Sequence, residues 1–226
     1  MRNRILLLPI LGVLLFSAMY ITAAVLYPGG SQADPHSVGF SWKDNYWCNL
    51  FNATAINGYP NPARPVAVIA MIVLAASLQF FWMLVALRAS TSRSLSRTII
   101  ASAIACNVFI FSLATAHLHD LMVNLASLAG LITVVCVMIV LYRLKWNGLF
   151  AAGLFNILLV GLNNFVYYSG TLIAWLPVIQ KFTFLVFLCW ICLINVRIYR
   201  ETVRRSAGKG SVTSRDRPHD CGHLSG

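Results

Sequence analysis

Few residues in this chain are equipped for chemistry, and their positions within apolar runs say most about them. Lys181 stands 16 positions before Arg197 inside such a run, about 24 Å away along a helix that rises about 1.5 Å per residue. Asn163 and Asn164 lie a similar distance from Asn147, and Asn124 falls one turn after Asp120. His117, His119 and Asp120 occupy the short junction between two apolar runs, while Asp44 and Asn45 belong to the longest polar segment. Polar groups in hydrocarbon are costly and mark sites or helix contacts. Gathered into one outer layer, Asp44, Asn45, His117, His119, Asp120, Asn124, Asn163, Asn164 and Lys181 form a candidate pocket for a lipid headgroup or small solute. Asp120 is the expected counter-ion of Lys181, since both fall near one depth.

Two other chemistries compete for the same residues. In the structural one, Lys181 extends its ammonium to the interface, the Asn amides cross-link helices, and the two His cap a hairpin. In the catalytic one, His117, His119 and Asp120, with His36, hold a metal for a membrane hydrolase. Zinc catalysis takes three protein ligands and a water, and adjacent helical residues such as His119 and Asp120 point apart, so that site requires a loop. No H-E-x-x-H, G-x-S-x-G or phosphate-cradling glycine loop is present. Cys189-Trp190-Ile191-Cys192 has C-x-x-C spacing but lies mid-run among Phe187, Leu188 and Leu193. Redox pairs need an exposed helix start, so these read as small buried apolar residues. No span offers a facing His for haem, and no cofactor is expected.

The elements that must position these residues follow from composition. The 226 residues are 59% hydrophobic and only 10% charged, with a mean hydropathy of +0.76. A soluble domain is about a quarter charged, so an ordinary soluble enzyme, a disordered chain and a disulfide-rich secreted domain are excluded. Six apolar runs, at about 5–27, 65–87, 98–116, 121–142, 148–169 and 176–196, are each close to the roughly 20 residues that cross a bilayer. The first exceeds the h-region of a signal peptide and reads as an uncleaved span. Ala126 with Gly130, and Ser112 with Ala116, are small-residue pairs that permit close approach of the third and fourth helices.

Charge orients the bundle. Of 17 Lys and Arg residues, 14 lie in the termini and in the connections at 88–97 and 143–147, against Lys43 and Arg64 on the opposite side. The positive-inside rule then places both termini in the cytoplasm. The net charge of +11 is thereby accounted for without nucleic acid, and the basic tail is expected to touch anionic lipid headgroups. Residues 201–226 read as a basic, disordered cytoplasmic tail. Residues 28–64 form the one long outward loop. Within it, about 41–52 reads as an interfacial amphipathic helix, with Trp42, Tyr46, Trp47, Leu50 and Phe51 on one side and Asp44, Asn45, Cys48, Asn49 and Asn52 on the other. The expected fold is an all-α membrane protein, a bundle of six transmembrane helices over residues 1–200 with that helix on its outer face.

Gly39-Phe40-Ser41-Trp42-Lys43-Asp44-Asn45-Tyr46, followed by Asn45-Tyr46-Trp47-Cys48-Asn49-Leu50 and the re-entry Asn61-Pro62, resembles a family of bacterial six-helix membrane proteins of unknown function. His117 and His119 fall where that family tends to carry a His. The layout is more distantly similar to the Frag/DRAM-type six-helix family, associated with lipid remodelling. The resemblance implies a multi-pass protein of the bacterial inner membrane and supplies no catalytic mechanism. The alkaline-ceramidase-type hydrolases carry His-x-x-x-His in a late helix, and the sixth run here has no His. The expected activity is binding of a lipid headgroup or small ligand, with a metal-dependent hydrolase or lipid-modifying enzyme as the alternative.

Overall fold

A computed structural model of the chain describes residues 4–112 and 119–215, with side chains described except at 112, 119, 120, 123 and 207–215. Its long elements are all helical: α1 (Leu8–Leu26), α2 (Ala63–Leu84), α3 (Arg93–Ser112), α4 (His119–Arg143), α5 (Asn147–Ser169) and α6 (Leu176–Arg215). Six of the described helices are long and apolar enough to cross a membrane. Helices carry this burden because each satisfies its own backbone hydrogen bonds, which hydrocarbon cannot do.

Sequence neighbours pair in space: α1 with α2, α3 with α4, and α5 with α6. The α1–α2 seam is lined by small residues. Ala63, Ala67 and Ala70 of α2 and Ala23 of α1 are wholly buried, and a Cβ on Gly12 would overlap the Ser77 hydroxyl. Small side chains let helix backbones approach closely and gain dispersion contacts. Between α3 and α4, Ser102 and Thr133 share a hydroxyl contact of 2.7 Å. Two apolar cores stack along α6. One gathers Phe81, Val85, Ile99, Val137, Leu141 and Trp190. The other gathers Val13, Phe16, Tyr20, Leu50, Leu74 and Leu188. Trp190 also donates its indole N–H to the Leu149 carbonyl at 2.8 Å, tying α6 to α5.

The long loop differs from its expected form. Only Trp47–Phe51 is helical, as a short 3-10 turn, and two residues of the polar side read from a helical wheel turn inward, while Cys48 and Asn52 stay exposed. Asn45 is 0% exposed and Asn49 only 5%. The reason is local competition for backbone groups. Ser41 Oγ accepts the Asp44 N–H and donates to the Asp44 carboxylate, while Asn45 Oδ1 accepts the Ser41 N–H. Asn and Ser side chains offer such alternatives to a helical ladder. Asn61 performs a similar task before α2, donating to the carbonyls of Asn52 and Leu50 and accepting the Ala63 N–H. Gly30, at φ +82°, lies where a Cβ would overlap the Asn57 backbone, which closes the loop on itself.

The sixth helix is longer than its apolar run. It continues beyond Val196 to Arg215, so the first part of the segment expected to be an irregular tail prolongs α6. Residues 216–226 lie outside the described part.

Candidate functional site

Lys181 sits in the second turn of α6, where the loop closes over the helix ends. Its ammonium donates to the Asn45 carbonyl at 2.6 Å and to the Pro177 carbonyl at 3.1 Å, and lies 5.7 Å from the centre of the Phe40 ring. Lys43 reaches back in the same way, 5.7 Å over the Trp175 ring. Asp44, next to Asn45 in the loop, pairs with Ser41 instead. Asn45 completes the junction by donating from Nδ2 to the Gly30 carbonyl at 2.8 Å. Lys181 and Asn45 therefore meet as a clamp between loop and helix, with Asp44 held to Ser41 beside it. The expected partner of Lys181, Asp120, opens α4 with its side chain outside the described part, as does His119, and His117 lies outside the described residues altogether.

Beside this clamp is a groove of about 530 Å³, within the range of ligand sites. Phe16 and Tyr20 of α1 and Met71 of α2 line one side, Val160 and Asn163 of α5 the other. Gln180, Thr183, Phe184 and Phe187 of α6 form its back, and Trp47, Cys48 and Phe51 of the loop cover it. Edge-to-face rings hold the cover in place. Tyr20 and Trp47 cross at 63° with centroids 4.5 Å apart, and Tyr20 donates its hydroxyl to the Trp47 carbonyl at 2.8 Å. Phe184 lies edge-on to Phe16 at 5.7 Å. The exposed Cys48 and the half-exposed Val160 mark the open side.

The few polar groups in the groove are unevenly satisfied. Asn163 donates to the Thr183 hydroxyl at 2.6 Å and to the Leu159 carbonyl at 2.9 Å. Trp47 Nε1 and Gln180 Oε1 are shielded from the exterior with no partner among the described residues. A buried polar atom without a partner forfeits about 1–3 kcal/mol, a cost that a ligand would relieve only once these side chains turn toward the groove. The lining carries no carboxylate, His, Lys or Arg. Although Cys48 is exposed as a residue, the protein groups around its sulfur desolvate the thiol and push it above its ordinary range, partly opposed by a hydrogen bond to its own backbone. Burial raises Tyr46 as well, helped by Cys48 and Tyr167. The groove is thus uncharged near neutrality.

The expected single polar layer is divided. Asn163 enters the groove; Lys181 and Asn45 form the clamp, and Asp44 pairs with Ser41. Asn164 is exposed and donates to the Val160 carbonyl of its own helix, and Asn124 is exposed on α4. Tyr20, Gln180 and Thr183 were not singled out from the sequence, and Trp47 only as part of the apolar side of the expected loop helix. Gln180 and Thr183 share a face of α6 at a spacing of three, which was the available signal. Among the described residues no group of three His, Cys, Asp or Glu could hold a metal. Comparison with protein-family models, with curated proteins and with solved structures gave no match.

Proposed function

We propose that this chain spans a membrane six times, with its basic ends cytoplasmic and residues 28–64 outward, and binds an uncharged lipid-like amphiphile in the outer groove. The inner membrane of a bacterium is the proposed location. One observation carries the reading: an open, mainly apolar groove of about 530 Å³ between α1, α5, α6 and the loop, lined by no charged residue. An aliphatic chain suits the walls of Phe16, Met71, Phe184 and Phe187, since burying each CH2 contributes about 0.8 kcal/mol. A neutral hydroxyl at its head is matched by the polar side chains of the lining, Asn163, Gln180 and Thr183. The neutral lining disfavours an ionised headgroup, which has no counter-charge there.

Native mass spectrometry of the purified full chain tests this. Wild-type protein is expected to retain a neutral lipid at near-stoichiometric occupancy. Val160→Trp, which projects an indole from the groove's open side without disturbing the core, is expected to lose it while keeping its melting temperature. Wild type purified without lipid, or undiminished occupancy in Val160→Trp, would overturn the reading.

A further inference from the structure

The opposite, basic end of the bundle contains a separate cavity of about 420 Å³. After α2 the chain makes one π-helical turn, Val85–Ala89, closed by the Ser90 N–H on the Val85 carbonyl at 2.9 Å. Widened turns of this kind recur at functional sites. Here the turn carries Arg88 to the cavity and is followed by Ser90 and Thr91; Arg205 of α6 enters from the other side. Leu144, Trp146 and Ile198 supply an apolar floor.

The charges of this cavity are unbalanced. Its one acidic residue, Glu201, is engaged by Arg197 at 3.0 Å. Arg197 in turn lies 5.4 Å over the Trp146 ring. Neither the Arg88 nor the Arg205 guanidinium has a hydrogen-bond or ion-pair partner among the described residues. Thr91 Oγ1 accepts a hydrogen bond from Arg143 at 3.1 Å, which leaves its hydroxyl proton free to donate and brings a third cation alongside. Two free guanidinium forks, each able to grip two oxygens, plus a free hydroxyl donor match the oxygens of a phosphate group. The positive-inside rule accounts for basic residues at this end but not for the convergence of the exposed Arg88 and Arg205, with a poised hydroxyl, on one partly open cavity. A volume in the hundreds of Å³ also exceeds what a bare ion needs.

We infer that this cavity is a binding site for a phosphate-bearing ligand, held by Arg88, Arg205 and Thr91, independently of the outer groove. Its source is either the headgroup of an anionic phospholipid, which reaches such basic pockets at a membrane surface, or a free phosphate compound.

The test measures binding to the full chain in neutral detergent by native mass spectrometry and thermal shift, with phosphatidylglycerol in one arm and inorganic phosphate in the other. Binding of phosphatidylglycerol unaffected by phosphate assigns the site to a lipid headgroup; competition by phosphate assigns it to a free phosphate. Arg88→Gln/Arg205→Gln is expected to weaken binding about tenfold or more. Arg93→Gln/Arg97→Gln removes equal charge from the same end outside this cavity and is expected to leave binding within about twofold. Arg88→Lys/Arg205→Lys keeps the charge but loses the fork, and should fall between them. Should the glutamine pair fail to fold, the lysine pair against the Arg93/Arg97 control decides the question. No binding in either arm, or an equal loss in the Arg93/Arg97 control, would overturn the inference.

Discussion

The Lys181 ammonium and the Asn45 backbone carbonyl lie 2.6 Å apart although 136 residues separate them in the chain. This contact makes the long loop part of the bundle. It places Trp47 and Cys48 over the groove, and so connects a charge at the start of α6 to the shape of a cavity that it does not line.

Removing the charge should therefore loosen the cover. Lys181→Met leaves the Asn45 carbonyl without its charged donor, a loss of about 1.5–3 kcal/mol for a hydrogen bond to an ionised group. Thermal unfolding in detergent should shift down accordingly, and limited proteolysis should cut the loop sooner. Combined with Asp44→Asn, which weakens the adjacent bond to Ser41, the costs should be sub-additive by about 0.5 kcal/mol or more. Purely additive costs would show that this bond does not support the clamp.

Asn45→Ala should be at least as damaging. Its side chain serves the Ser41 N–H and the Gly30 carbonyl from a position with no exposure. Each group left unpaired costs about 1–3 kcal/mol. Asn52→Ala, at an exposed neighbour whose side chain makes no such bridge, should change the melting temperature little; equal effects would argue against the buried bridge.

Cys48 offers a pH-dependent readout. Desolvation by the groups around its sulfur raises the thiol of this exposed residue, so at any given pH less of it is the reactive thiolate than in a free peptide. With the other five cysteines replaced by Ala, the rate of alkylation by iodoacetamide should rise with pH along a curve displaced to more alkaline values than that of a reference peptide. A displacement to lower pH would contradict the apolar surroundings described here. An occupied groove should slow the reaction throughout.

Gly12→Ala should force α1 and α2 apart, because the added methyl collides with Ser77. Overpacking of this kind costs about 1–3 kcal/mol. The pair Gly12→Ala/Ser77→Gly, which vacates the space, should recover most of the lost melting temperature; an unchanged defect would place the strain elsewhere.

Orientation is open to direct labelling. In a chain with its native cysteines replaced, Val38→Cys, at a position 97% exposed on the loop, should react with an impermeant maleimide in intact cells. Ser92→Cys, exposed between α2 and α3, should react only after permeabilisation. The reverse pattern would invert the proposed topology.

Much of the architecture was legible along the chain because crossing hydrocarbon is a local demand. Any helix that meets it needs a long apolar run with all backbone groups paired internally, and composition alone reveals such runs. The Pro65–Leu87 run became Ala63–Leu84 plus a π turn, and Gly148–Ser169 became Asn147–Ser169. The grouping of basic residues at the connections followed from the same sequence. The loop was misread because helical periodicity assumes that the backbone bonds to itself. At Ser41, Asp44 and Asn45 the side chains take those bonds instead, burying two amides that a helical wheel faces outward. The groove was illegible for a different reason. Asn163 and Lys181 stood out as costly residue types, but which of them enters a shared cavity depends on the rotation of each helix about its axis. That rotation is decided by non-local packing, Gly12 against Ser77 and Trp190 against the backbone of α5, and by a loop carbonyl that finds its lysine only in the folded chain.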